Sequence, residues 1–228
     1  MKVIAIIPAR GGSKGILKKN LTNIGHKPLI GWSIDAALES EFITNVIVSS
    51  DDEDILKTAN NYGAQTHLRP ASLATDTAKT EPVLVEVLRY LEAKNEKFDY
   101  LVLLQPTSPL RTASDIDAAF KMLIDKKATS LISVKEPESN PLKSFVLNEE
   151  GYMKGIVNND FPFMPRQALP KVFYPNGAIY IVEVPYFKKS EKLFSDKTIS
   201  YLMSADKSVD IDTKADILRA EKILKERI

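Results

Sequence analysis

The densest chemistry of this chain sits near its N-terminus. Arg10, Gly11, Gly12, Ser13, Lys14 and Gly15 follow the apolar run Val3–Ile7, and Lys18, Lys19 and Asn20 come next. Glycines let a backbone approach an anion with free N–H groups turned toward it. Arginine and lysine supply the charge that a polyphosphate requires. The spacing matches neither standard glycine motif. A Walker A loop ends in Gly-Lys-Ser/Thr, and here the lysine follows Ser13. The dinucleotide fingerprint Gly-x-Gly-x-x-Gly aligns with Gly12 and Gly15, but its first glycine falls on Arg10. The loop is therefore a third kind of phosphate cradle.

A second constellation is Asp210-Ile211-Asp212. On a strand, a spacing of two places both carboxylates on one face and Val209 and Ile211 on the other. Such a pair offers the few hard oxygen ligands that magnesium on a nucleotide takes, with phosphate and water completing its shell. The alternative is that Asp212 or Thr213 caps the helix that follows, with Asp216 in its first turn. The spacing permits both.

Gln105-Pro106-Thr107-Ser108-Pro109-Leu110-Arg111 follows another apolar run, where open α/β sheets bind ligands. Gln105 can donate and accept, and Arg111 is a fixed cation. Arg69-Pro70 and Thr75-Asp76-Thr77 form a further polar loop ahead of a helix. The two histidines, His26 and His67, lie in no nucleophile-elbow context. A hydrolase triad and a histidine-rich metal site are therefore set aside.

The elements that must hold these residues alternate. Strands are expected at Val3–Ile7, Val46–Ser49, Tyr100–Gln105 and Thr129–Val134. Helices are expected near Ile30–Ser40, Asp52–Tyr62, Thr80–Glu96 and Ser114–Lys126, the last opened by Ser114 and Asp115. This rhythm predicts an α/β fold: a Rossmann-like, doubly wound, mostly parallel sheet with helices on both faces. Beyond Lys135 prolines cluster and helical periodicity fades. Residues 136–194 are expected to form a small strand-rich insertion within a single 1–228 domain, with strands at Ser144–Leu147 and Ala178–Val182. The first rhythm then returns, with strands at Ser200–Met203 and Val209–Ile211 and an amphipathic helix at Thr213–Arg227.

Composition narrows the function. A net charge of +1 provides no global field for nucleic acid or an anionic membrane. The local basic loop suits a small anionic ligand. No apolar stretch approaches the ~20 residues of a membrane span, and the first apolar run is too short for a signal peptide. With no cysteine, disulfides, thiolate catalysis and cysteine-ligated zinc are excluded. A cytoplasmic setting is the expectation.

Over nearly its whole length the chain resembles the CMP-sialic acid synthetases (N-acylneuraminate cytidylyltransferases). The resemblance rests on Ile7–Gly15, Lys19-Asn20-Leu21, Leu68-Arg69-Pro70 with Leu73-Ala74, and Gln105–Arg111. It continues through Pro141-Leu142-Lys143, Pro165-Arg166-Gln167, Pro175–Tyr180 and Asp210–Thr213. It implies attack of the anomeric hydroxyl of a nine-carbon 2-keto acid sugar on the α-phosphate of CTP, with magnesium, releasing pyrophosphate. It implies that Arg10, Ser13, Lys19, Asn20, Arg69 and Thr80 bind the nucleotide, and that Asp210 and Asp212 hold the metal. Arg10, Lys19 and Asp212 are the implied catalytic set, with Asp212 placed to help deprotonate the hydroxyl. Gln105, Lys143, Arg166, Tyr180 and Phe194 are the implied sugar-binding positions. It also implies a homodimer formed through the insertion. Tyr174 and Asn140 stand where several bacterial sialate synthetases have arginine and histidine. Legionaminic or another nonulosonic acid is therefore an alternative substrate. A non-catalytic sugar-nucleotide sensor is an alternative class, and retention of Arg10, Lys19, Asp210 and Asp212 speaks against it.

Overall fold

A computed structural model describes residues 1–13 and 15–226. Lys14 and Arg227 lie outside the described residues. In chain order the elements are β1 (Val3–Pro8), the short hairpin β2–β3 (Asn23–Ile24 and Lys27–Pro28), α1 (Leu29–Leu38), β4 (Asn45–Ser50), α2 (Glu53–Asn61) and β5 (Gln65–Leu68). There follow α3 (Thr80–Ala93), β6 (Tyr100–Leu103), α4 (Ala113–Asp125), β7 (Ser130–Lys135), β8 (Phe145–Leu147) and β9 (Met153–Gly155). The last are β10 (Tyr174–Glu183), α5 (Val184–Ser190), β11 (Thr198–Leu202) and α6 (Lys214–Glu226).

β1 is apolar at every position because both of its faces are covered. Val3, Ala5 and Ile7 enter one core with Ile30 and Ile34 of α1 and Phe120 of α4. Ile4 and Ile6 enter a second core with Leu84 and Val87 of α3 and Phe187 of α5. The sheet has seven strands in the order β11-β7-β10-β6-β1-β4-β5. All pairs are parallel except those of β10, which runs antiparallel to β6 and β7. The expected mostly parallel, doubly wound α/β fold is therefore present. From β1 the chain builds outward through β4 and β5, then returns to place β6 on the other side of β1. That reversal opens a crevice at the carboxyl ends of β1 and β6, the place where such sheets take ligands.

Several local expectations change. Val209–Ile211 is not a strand; it is an extended segment whose Ile211 N–H donates to the Thr107 carbonyl at 2.8 Å. The alternation survives, because Val209 and Ile211 bury into a third core with Ile16, Ile24, Leu29 and Ala220 of α6. α4 opens at Thr112 rather than Ser114: Thr112 and Asp115 form a reciprocal capping box. β5 was not anticipated, since an edge strand buried at only one position leaves little apolar pattern. Nor was α5, a seven-residue helix with Pro185 in its first turn. Within 136–194, residues 136–173 stand apart from the main sheet, while β10 joins it and α5 packs against it. The 136–173 stretch contains the β8–β9 hairpin and three one-turn 3-10 helices, whereas β10 is a central strand.

Candidate active site

The crevice is a cleft of about 620 Å³. One wall is the loop leaving β1, with Pro8, Arg10, Ser13 and Gly15, followed by Lys19 and Asn20 on the one-turn helix Lys19–Leu21. Lys18 enters that turn with φ 49° and points elsewhere, pairing with Asp54 at 2.9 Å. Asn20 is buried, and its Nδ2 donates to the Arg10 carbonyl at 2.9 Å. It therefore fixes the loop backbone as well as lining the cleft.

Glycines shape this loop by contact with protein more than by backbone freedom. A Cβ on Gly11 would fall 2.7 Å from Asp52 Cβ, and one on Gly15 would fall 2.8 Å from the Asp212 carbonyl oxygen. Gly11 N–H also donates to Asp51 Oδ1 at 3.0 Å. Gly12 has open space where a Cβ would stand, so it is the glycine at which a ligand can approach the backbone.

Two cations cross the cleft. Arg10 Nη1 donates to the Thr75 carbonyl at 3.2 Å and pairs with Asp76 at 3.2 Å, tying the β1 loop to the polar loop before α3. Lys19 Nζ donates to the Ile211 carbonyl at 2.8 Å and to Asp212 Oδ1 at 3.0 Å. Arg69 is buried in a third wall, with Nη2 on the Ser49 carbonyl at 2.6 Å and Nε on Ser49 Oγ at 3.3 Å. Burial lowers its pKa, yet a guanidinium stays charged at neutral pH. Thr80 opens α3 beside Lys79, and both line the cleft. The amino end of that helix favours anions.

Asp210 and Asp212 face the cleft from the extended segment. Asp210 is open to the cleft, yet protein surrounds the concavity, and this desolvation raises its pKa. A hydrogen bond from Thr107 opposes the rise, the like charge of Asp212 adds to it, and Lys19 and Lys135 oppose it. The capping question is settled by Thr213 and Asp216. Asp216 Oδ2 accepts from Thr213 N and Thr213 Oγ1, each at 2.7 Å, and Thr213 Oγ1 accepts from Asp216 N at 3.4 Å. The Asp212 carboxylate takes no part in that cap and faces the cleft, where its Oδ1 accepts from Lys19. The two carboxylates fit a magnesium ion that keeps most of its shell as water and phosphate.

Gln105 lies on the opposite lip. Arg111, fully buried, donates from Nη1 to the carbonyls of Gln105, Ser108 and Ala178 at 3.3, 3.1 and 3.1 Å, so it braces this loop against β10. Burial pulls its pKa down to about 9. Gly177, with φ 76°, lies so close that a Cβ would fall 2.5 Å from Gln105 Oε1.

The remaining sugar-binding expectations fall outside this cleft. Tyr180 and Phe194 line an adjoining chamber of about 550 Å³. Lys143 and Arg166 sit in the 136–173 segment; Arg166 lines a separate pocket of about 150 Å³ and donates to the Glu138 carbonyl at 3.5 Å. Lys79 lines the cleft without having been singled out, whereas Asp76 and Thr107 belong to the polar loops the sequence marked. For Lys79 the neighbouring Thr80 was the nearest signal.

Comparison with known proteins agrees with this geometry. A family model described as Cytidylyltransferase matches residues 4–227. An N-acylneuraminate cytidylyltransferase of Streptococcus agalactiae serotype V is 36% identical over 220 residues, covering 96% of this chain and 52% of that protein. The chain thus spans about half the length of this streptococcal relative. A CMP-N,N'-diacetyllegionaminic acid synthase of Legionella pneumophila is 32% identical over 229 residues, covering 98% of this chain and 97% of the relative. A solved CMP:2-keto-3-deoxy-manno-octonic acid synthetase complexed with CTP superposes with a TM-score of 0.74 at 18% identity, covering all of both chains, which shows a shared fold. Fold, cleft and sequence together show that the chain belongs to the cytidylyltransferase family.

Proposed function

We propose that this protein transfers CMP from CTP to the anomeric hydroxyl of a nonulosonic acid, with sialic and legionaminic acids as the leading substrates. The observation that carries this reading is the cleft itself. It gathers the cations Arg10 and Lys19 and the carboxylates Asp210 and Asp212 around one space at the sheet's ligand crevice. The sugar oxygen forms a bond to the α-phosphorus, and the bond from that phosphorus to the bridging oxygen of pyrophosphate breaks. Such a transfer asks a protein mainly for positioning and charge neutralisation. Arg10, Lys19 and the Gly12 backbone would hold the phosphates, with Ser13, Asn20, Arg69 and Thr80 around the nucleotide. Asp212 would accept the hydroxyl proton, and Gln105 would orient the sugar. Asp210 and Asp212 would hold magnesium, which when bound supplies charge neutralisation at the phosphates.

The relatives named for N-acylneuraminate and for diacetyllegionaminic acid support a nonulosonic acid. A homodimer is part of the reading. Leu147, Met153 and Phe163 in the 136–173 segment are 70%, 64% and 80% exposed, an apolar surface suited to a second copy. Lys143 and Arg166 would then meet a sugar through that association. Among the described residues no helix is long and apolar enough to cross a membrane. The absence of cysteine supports a cytoplasmic setting.

Pyrophosphate release with CTP, magnesium and a panel of sialic, legionaminic, pseudaminic and 3-deoxy-octulosonic acids tests the proposal. Turnover is expected with at least one nine-carbon acid, and UTP should be a poor substitute for CTP. No turnover with any nonulosonic acid would sink it.

A further inference from the structure

The chamber beside the cleft carries a carboxylate that the described structure leaves without a partner. Tyr180 lines the chamber. Its phenol, held up in pKa by burial, also feels the negative charges of Asp210 on the cleft side and Glu81 on the chamber side. With it, Glu81, Tyr186, Lys192, Phe194 and Asp196 surround about 550 Å³, enough for a small ligand group. The wall is fixed from behind. Tyr186 Oη donates to the Phe194 carbonyl at 2.9 Å, and Ser195 N donates to Thr198 Oγ1 at 2.7 Å. Glu81 itself is partly buried, and its carboxylate makes no hydrogen bond or ion pair with any described residue.

An ionised carboxylate only accepts hydrogen bonds. Glu81 and Asp196 outnumber the single lining cation, Lys192, so the chamber repels a third carboxylate. A sugar acid entering both spaces must therefore point its own carboxylate away from Glu81. Its neutral exocyclic end is what can enter the chamber, and the donors there are amide N–H and hydroxyl groups.

We propose that Glu81 is a specificity-determining residue that accepts a hydrogen bond from an N–H or O–H on the exocyclic part of the sugar acid. This rests on the cytidylyltransferase reading above and extends it to the substrate's orientation. It selects for acids bearing a donor on that end and against those with an anion there.

Steady-state kinetics of Glu81→Ala and Glu81→Gln test it. Glu81→Ala should raise the sugar KM by about tenfold to a hundredfold, the scale of a lost charge-assisted hydrogen bond. The KM for CTP and kcat should stay within about twofold. Glu81→Gln, which keeps an acceptor oxygen and the side-chain shape, should lose less, and thermal melts check that both variants fold. A sugar KM unchanged in Glu81→Ala, or a change confined to CTP, overturns the assignment while the cytidylyltransferase reading stands. A wild-type protein that turns over no nonulosonic acid, and in calorimetry binds none in the presence of CTP, overturns both.

Discussion

The ammonium of Lys19 lies 3.0 Å from Asp212 Oδ1, joining residues 193 positions apart in the sequence. Both residues line the cleft. Their contact ties the β1 loop to the acidic segment, and the same ammonium also donates to the Ile211 carbonyl at 2.8 Å.

The pair is half open to water, with side-chain exposures of 15% for Lys19 and 71% for Asp212. An ion pair of this kind adds at most about 1 kcal/mol to stability. Lys19→Met and Asp212→Asn should therefore leave the urea midpoint nearly unchanged. Each should nevertheless lower kcat by at least about tenfold, as for other lost electrostatic contacts in a transition state. The double variant should lose less than the product of the single losses, because the two groups act together. Equal, independent losses would show that the contact is incidental.

Gly15 and Gly12 should separate a packing role from a ligand role. In Gly15→Ala the new methyl meets the Asp212 carbonyl oxygen at 2.8 Å, so the acidic segment must shift. A displacement of that kind costs on the order of tenfold to a hundredfold in kcat. Gly12→Ala meets no atom of a described residue within 4 Å. Its melting temperature should match wild type, and its cost should fall on the KM for CTP.

Gly177→Ala should act at the sugar end. Its φ of 76° disfavours a side chain, by about 1 kcal/mol or more. It also sits where the register of β10 against β7 shifts, between Pro175 and Tyr180, and its Cβ would strike the Gln105 amide. Thermal melting should show the backbone cost. Kinetics should show a raised sugar KM with the CTP KM largely retained.

His67 should set part of the acid sensitivity of the fold. Its Nε2 lies 3.1 Å from Glu86 Oε1, its ring meets that of Tyr90 edge-on, and its Nδ1 has no hydrogen-bond partner among the described residues. Burial lowers its pKa below the ordinary 6.5, against the pull of Glu86. Below 6.5 the unfolded chain takes up a proton that the folded one resists, so stability falls as pH drops toward the folded value. The slope is at most about 1.4 kcal/mol per pH unit. Urea midpoints between about pH 7 and pH 5 should fall less steeply in His67→Gln than in wild type. Parallel curves would remove His67 from the account.

The sequence by itself determined the frame. The apolar run at β1 required burial on both faces, and the alternation of short strands and amphipathic helices required a parallel sheet with a ligand crevice at its carboxyl edge. The period-two spacing of Asp210 and Asp212 put both acids on one side even though no strand forms there, because burial of Val209 and Ile211 alone enforces it. These are local patterns, and local sterics and burial act over a few residues. Only the tertiary structure decided which distant groups meet. It assigned the cap of α6 to Thr213, paired Lys19 with Asp212, and turned Gly11 and Gly15 into packing contacts. It also placed Tyr180 and Phe194 in a chamber apart from the cleft, and Lys143 and Arg166 on a segment outside the sheet. Such contacts depend on how whole elements pack, and no short stretch of sequence encodes that.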